Sequence, residues 1–428
     1  MNDFTIVFRS LRARLFSTVV TVVTVAIAVA LLLTLLSLKA AGASAFIRGS
    51  GNAHLLVSAD AGPVVSVLNA FFYSGAPARP IGQAKLGELS KSFPWTWVIP
   101  VQQGDSYRGF PTLATTPAFL RDFQPVPGEP WEFREGRAFD TTFEAVFGSA
   151  VAAETGLRLN AKLHFTHGAG DEHGHVHTEY EFNVVGILAP TGSAHDRAIF
   201  CSLESSWILH AHDRKERERS EAGGGHEHGP PLTSADLIDD DRKVTGLLLR
   251  LPTRPGSDVS TAMQAEFDRL RRDPTITVAN PAYEIQKLLA IVSRVDILFV
   301  AMAIVILVGS AISILVALYN SMYERRRQIA IFRVLGCSRG RIFGLVLTES
   351  ALIGVLGATS GAILSAIGTA VAAAYLKHEV GLVLGLGVDP RQGIIVVAAT
   401  VVLASVAGIL PALLAYRTPV GDTLRPSA

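Results

Sequence analysis

The sequence predicts an α-helical membrane protein with four transmembrane helices and an α+β extracytoplasmic (periplasmic) domain inserted between the first and second. Three observations predict it. Uncharged apolar runs of about 24 to 27 residues recur at 15–38, 297–323, 350–376 and 392–416, where about 20 suffice to cross a bilayer. Between the first two runs, residues 41–289 change character: prolines, aromatics, acidic side chains and alternating apolar positions replace the uniform run. Hydrophobic residues make up 49% of the 428-residue chain at a mean hydropathy of +0.36, which is high for a protein wholly in water.

The first run follows Arg9, Arg12 and Arg14, which puts residues 1–14 in the cytoplasm and 15–40 across the membrane. Ala43-Ser44-Ala45 resembles a signal cleavage site, but a signal core is only about 7–15 residues long, so a retained anchor is expected. In the domain 41–289, strands are predicted at 54–58, 97–102, 163–166, 180–188 and 244–251, where short apolar or β-branched runs meet turn residues. Helices are predicted at 83–93, 118–123 and 259–271, the last with Met263, Phe267 and Leu270 on one face. A stalk with Tyr283, Ile285, Leu288, Leu289 and Val292 on one helical face leads into the second span, so that 290–323 forms stalk and span together.

Residues 324–349 are a basic link, 350–376 the third span, 377–391 a short outside loop, 392–416 the fourth span and 417–428 a basic tail. This alternation of basic and mixed loops places both termini and the link in the cytoplasm. Gly354, Gly357, Gly361 and Gly368 make the third span suited to close helix packing, and Pro411 can kink the fourth. Glu349 at the start of the third span reads as an interfacial residue that snorkels or meets an arginine of the link. Cys201 and Cys337 fall on opposite sides of the membrane, so no disulfide joins them.

The link carries the most informative pattern. Read as a helix, Gln328, Phe332 and Leu335 follow at three- and four-residue steps, as do Ile331 and Leu335, beside Arg325, Arg326 and Arg333. Gly336 can end that helix and Ser338 can cap the next. Such a segment is either a lipid-facing anchor or a docking element. Glu324-Arg325-Arg326-Arg327-Gln328-Ile329-Ala330-Ile331, then Arg333-Val334-Leu335-Gly336 and Ser338, resembles the signature of the FtsX-like permeases, the family of the macrolide exporter and the lipoprotein-releasing permeases. Glu135-Gly136-Arg137-Ala138-Phe139, Ala153-Glu154-Thr155-Gly156-Leu157, Phe182–Leu188 and Asp196-Arg197-Ala198-Ile199-Phe200 are similar, in order, to the periplasmic core domain of the macrolide-exporter branch.

The resemblance implies the permease subunit of an ABC transporter in the bacterial inner membrane, working as a dimer with a second permease protomer. Glu324, Arg325, Arg326, Gln328, Ile331, Phe332, Arg333, Leu335 and Gly336 would then couple it to a separate cytoplasmic ATPase. ATP and Mg would sit in that partner, since the chain has no Gly-x-x-x-x-Gly-Lys-Ser/Thr loop, and the chain itself would be neither an enzyme nor a cofactor carrier. Lipid and a periplasmic adaptor or binding protein are the other implied partners, and nucleic acid is not among them. The expected work is export or extraction of a hydrophobic or peptidic cargo. Zinc-linked transport and signalling to a periplasmic enzyme without transport stay open as alternatives.

The histidines have no counterpart in that resemblance. Ten of twelve fall between His164 and His228, nine of them in His-rich loops read at 164–177 and 210–228. His164, His167, His173, His175, His177, His226 and His228 are the candidate ligands for zinc or another divalent metal, because neutral imidazoles on a flexible loop can converge on one ion. Solvated loop is the competing reading for the histidines, and Asp239-Asp240-Asp241 reads as solvated loop.

Overall fold

The computed structural model describes residues 3–75, 79–168, 177–221, 231–324, 326–379 and 389–417. In chain order, α1 (Asp3–Ala13) and α2 (Leu15–Gly49) precede β1 (Leu55–Ser58), α3 (Pro63–Phe72), α4 (Gln83–Lys91), β2 (Trp97–Gln102), β3 (Asp105–Tyr107), β4 (Phe110–Thr115) and α5 (Ala118–Arg121). There follow β5 (Phe133–Gly136), β6 (Glu144–Phe147), α6 (Ser149–Thr155), β7 (Lys162–Leu163), β8 (Thr166–His167), β9 (Phe182–Leu188), β10 (Ile199–Ser202) and α7 (Leu203–Glu221). Then come β11 (Gly246–Arg250), α8 (Met263–Arg271), β12 (Thr277–Ala279), α9 (Pro281–Glu324), α10 (Arg326–Val334), α11 (Arg339–Glu379) and α12 (Pro390–Arg417). The chain divides into a sheet unit, chiefly Ala43–Ile291, and a helical unit made of Met1–Gly42, Val292–Tyr375 and Gly385–Ala428.

In the sheet unit the strands run in the order β12-β1-β11-β2-β4-β10-β6-β9-β5, with β3 between β4 and β8 and β7 on β9. Most pairs are antiparallel, but β4 with β10 and β6 with β9 are parallel. Side chains alternate across a strand, and here each face meets its own core. Leu55 and Val57, Leu247 and Leu249, and Ile199 and Cys201 pack on one side with Leu89, Val151, Ile208, Leu209 and Leu270 of the helices. Leu56, Leu248 and Phe200 pack on the other with Val67, Phe71, Phe119 and Ile285. A sheet covered on both faces has strands that are apolar throughout, and β1 is buried at all four positions.

On the second face His195 is buried within an aromatic shell of Tyr73, Phe119, Phe123, Trp131 and Phe200. The Gly49 carbonyl, which can only accept, lies 3.1 Å from Nε2, so Nε2 carries the proton. Nδ1 then accepts from the Tyr73 hydroxyl at 2.7 Å. Burial pushes this imidazole down to about 4, the Gly49 bond offsetting only part of that.

Among the described residues, four helices have stretches long and apolar enough to cross a membrane: Leu15–Gly49, Val300–Asn320, Arg339–Tyr375 and Pro390–Leu414. Glycines set how closely α11 meets its neighbours. A Cβ on Gly361 would stand 2.6 Å from the Ala26 carbonyl oxygen and 2.7 Å from Val29 Cβ of α2. One on Gly357 would stand 2.6 Å from Val25, and one on Gly354 would stand 2.6 Å from Ala404 of α12. Gly368 is looser, with only Thr34 Oγ1 at 3.7 Å. Thr34 and Ser365 hydroxyls, 3.1 Å apart, add a polar link between α2 and α11.

Several sequence expectations shift. The first helix continues to Gly49, past residue 40, because residues 41–49 hold no proline. The third begins at Arg339 rather than 350: the Ser338 hydroxyl accepts from Arg341 N–H at 3.2 Å, and Ile342 and Val346 are buried, so this turn already has a cap and a packed face. The strand read at 163–166 is two pieces, β7 on β9 and β8 on β3. The helix read at 259–271 starts at Met263, with Val259 75% exposed outside it. In the stalk, Ile285 and Leu289 pack on the sheet unit's second core while Tyr283 is exposed. Glu349 is buried rather than snorkelling, and accepts from the Ser10 hydroxyl at 3.0 Å.

Two outcomes test this packing. His195 stays neutral in the fold while an unfolded histidine titrates near 6.5, so its contribution is complete above that pH and is lost as pH falls toward about 4, at most about 3 kcal/mol. Chemical unfolding followed by tryptophan fluorescence at pH 7.5 and 4.5 should show this loss, and His195→Gln should flatten it; an unchanged pH slope in the variant counts against a buried neutral ring. Gly361→Leu should lower the thermal midpoint of the detergent-solubilised protein, an overpacking cost of about 1–3 kcal/mol. Gly340→Ala, where a Cβ meets nothing within 4 Å, should not; equal midpoints for the two would refute the close approach of α2 and α11.

Candidate functional site

Among the described residues, two places gather candidate functional side chains, one in each unit. In the helical unit, α10 is a nine-residue helix between α9 and α11. Leu335 N–H reaches the Ile331 carbonyl at 3.0 Å and Gly336 N–H the Arg333 carbonyl at 3.1 Å. Gly336 then adopts φ +89, where a Cβ would be strained, and this stops the helix before Ser338 starts α11.

One side of α10 is fixed. Ile329 is buried in a cluster with Met322 of α9, Ile342 and Val346 of α11 and Ala412 of α12, and Ala330 is fully buried beside it. The Arg339 guanidinium, 5.7 Å from the Tyr416 ring centre, joins the start of α11 to the end of α12. The other side leaves Ile331, Val334 and Leu335 at 45, 64 and 77% exposure. Of the residues expected to couple, Ile331 and Leu335 thus share the open side, Arg333 is half-buried, and Gly336 makes the bend. Arg325 and the side chains of Glu324, Arg326, Gln328 and Phe332 lie outside the described residues. Val334 is an addition: it completes the three- and four-residue spacing with Ile331 and Leu335.

In the sheet unit, part of the histidine-rich stretch read as loop is helix. Residues 210–221 are the second half of α7 rather than loop, because Ile208, Leu209, Ala211 and His212 are buried and Arg214 meets Glu218 at 2.9 Å one turn on. Arg214 also pairs with Asp241 at 2.8 Å, so Asp241 is a buried partner and not a solvated loop residue.

His210 and Asp213, three residues apart, face β3 and β8 from this helix. Pairing of β3 with β8 sets Asp105 opposite His167. His167 Nδ1 lies 3.2 Å from Asp105 Oδ1 and 4.0 Å from Asp213 Oδ2, His210 Nε2 is 3.6 Å from Asp105 Oδ1, and His177 Nδ1 is 3.6 Å from Asp213 Oδ1. Asp105 is buried, which alone would raise its carboxyl, but the His167 hydrogen bond and the two facing imidazoles hold it well below the usual range. The same hydrogen bond raises His167.

Ligand atoms of Asp105, His167 and His210, and likewise of His167, His177 and Asp213, lie within 4.8 Å of one another. His167 and His177 are among the ligands expected from sequence; His210 falls in the second histidine-rich stretch without being one of those ligands, and Asp105 and Asp213 are not among them. The i, i+3 spacing of His210 and Asp213 was a readable signal, whereas Asp105 is tied in only by strand register. His164 is turned elsewhere, its ring nitrogen 3.0 Å from the Tyr180 carbonyl. His173, His175, His226 and His228 lie outside the described residues.

No curated protein matches the chain. Among solved structures, the chain is similar to the extracellular domain of a noncanonic ABC-type transporter, YknZ, from Gram-positive bacteria. That alignment covers 48% of this chain and 96% of the other at 7% identity and a TM-score of 0.25, a likeness too slight to carry an inference. The FtsX-like permease C-terminal family model matches residues 300–420, the stretch that holds α10 and the last three apolar helices. Residues 300–420 are thus similar to the C-terminal part of the FtsX-like permeases, and the chain is a multi-pass membrane protein whose sheet unit lies, in sequence, between its first two apolar helices.

Proposed function

We propose that this chain is the permease subunit of an ABC-type transporter and that α10 is where a cytoplasmic ATPase docks. The observation that carries the reading is the split of α10 into a buried side and an open one. Ile329 and Ala330 anchor the helix, leaving Ile331, Val334 and Leu335 as an apolar surface with arginines in the same segment. Burying such side chains against a partner contributes about 1.5–3 kcal/mol each when complete. A lipid-facing anchor would not need its opposite side seated on three other helices.

The orientation follows from charge. Arg9, Arg12 and Arg14 before the first span and Arg325, Arg326, Arg327 and Arg333 between the second and third belong in the cytoplasm, which leaves the sheet unit outside. α2 and α9 each continue past their apolar runs, to Gly49 and from Pro281, so force applied at α10 has helical routes toward the sheet unit. ATP binding in the partner would bias a rigid-body transition of these helices. A second permease protomer, a periplasmic adaptor and a hydrophobic or peptidic cargo complete the proposal, in a bacterial inner membrane.

Leu335→Asp should leave the protein inserted but lower permease-stimulated ATP hydrolysis by about tenfold, the effect of about 1.4 kcal/mol on association. Reconstitution with the ATPase that co-purifies with the chain measures this; undiminished stimulation would remove the docking role. Cys337 is partly exposed next to α10, whereas Cys201 is buried with its thiol pushed up by burial. An impermeant maleimide should therefore label Cys337 only after cells are opened, and labelling of Cys337 in sealed cells would invert the topology.

A further inference from the structure

We infer that Asp105, His167 and His210 form a binding site for one divalent transition-metal ion of the zinc class, with Asp213 and His177 beside it. The donors come from separate elements, β3, β8 and α7, and converge without being adjacent in sequence. Their chemistry, two imidazole nitrogens and a carboxylate oxygen, suits Zn, Cu or Ni more than the hard cations Ca and Mg.

The spacing fits as well. Bonds of about 2.0–2.1 Å in a tetrahedral shell put ligand atoms about 3.3 Å apart. His167 Nδ1 and His210 Nε2 stand 3.2 and 3.6 Å from Asp105 Oδ1. The second distance is too long for a hydrogen bond, and among the described residues His210 Nε2 is a buried atom that makes none. An ion would occupy the place between His167 Nδ1 and Asp105 Oδ1 that a hydrogen-bonding proton now fills.

The remaining groups have roles of their own. Asp213 Oδ2, 4.0 Å from the same His167 nitrogen, is the next oxygen in reach for a fourth position. His177, fully buried, lies 3.6 Å from the other Asp213 oxygen, close enough to favour its charged form but not to hydrogen-bond it. His167 is 51% exposed, so the group meets water at that ring, while Asp105 is 4% exposed at its inner end.

The test uses the full-length protein in detergent, freed of metal by a chelator and titrated with zinc alone against a chromophoric indicator. His173, His175, His226 and His228 are first replaced together by alanine, so that only the converging groups remain to be counted. This background should bind about one zinc per chain with micromolar or tighter affinity. His210→Ala and Asp105→Asn should each weaken it by at least about tenfold, and His164→Ala should not. Cobalt(II) in place of zinc should give the visible absorption of a tetrahedral nitrogen and oxygen site, absent in His210→Gln. Thermal midpoints without metal show that the variants are folded. Millimolar or absent binding in the background, or equal affinity in His210→Ala, overturns the proposal.

Discussion

A nine-residue helix is too short to persist alone in water, so α10 exists only because part of it is seated on the helices around it. Ile329 and Ala330 are the seat, against Met322, Ile342, Val346 and Ala412. That seat depends on α11 and α12 being close, and Gly354 against Ala404 and Gly408 against Ser350 keep them close. In lipid there is no water to drive helices together, so fit between small residues does this work. The register of α10, and with it the outward turn of Ile331, Val334 and Leu335, is thus a consequence of glycine positions in the spans.

The spans were legible because one physical quantity, an uninterrupted apolar length, decides them. Their ends were not: α11 starts at Arg339 because a Ser338 cap and buried Ile342 and Val346 outweigh the charges that made 339–349 read as link. In the sheet unit β1, β2, β9 and β11 lie within runs that read as strand. β4 did not, since Phe110-Pro111-Thr112-Leu113-Ala114-Thr115 mixes a proline and threonines into a strand held by neighbours on both edges. α7 failed for a different reason: its first half is buried and its second is a charged run, so no single periodicity spans it. The bend at Gly336 and the cap at Ser338 were legible because each is local.

The histidine-rich region shows where sequence reading runs out. Composition marked 164–228 as unusual, but convergence is a tertiary fact. His167 reaches Asp105 through strand register and His210 through the orientation of a helix that composition alone presented as loop. A count of imidazoles weighted His164 like His167, although one bonds a backbone carbonyl and the other a buried carboxylate.

His195 makes the contrast physical. It is as buried as any group in the sheet unit, yet both of its nitrogens are committed, one to the Gly49 carbonyl and one to the Tyr73 hydroxyl, inside an aromatic shell that disfavours charge. Such a ring holds the end of α2 to the sheet and has no lone pair left for a ligand. At Asp105 the balance runs the other way: a buried carboxylate kept ionised faces two imidazoles, one of them beyond hydrogen-bond reach. Burying a charge without full pairing is costly, and a cation placed among these three groups would relieve that cost where a rearranged side chain could satisfy only one of them. The difference between a structural and a ligand-binding histidine in this fold is therefore whether its partners leave a coordination position unfilled.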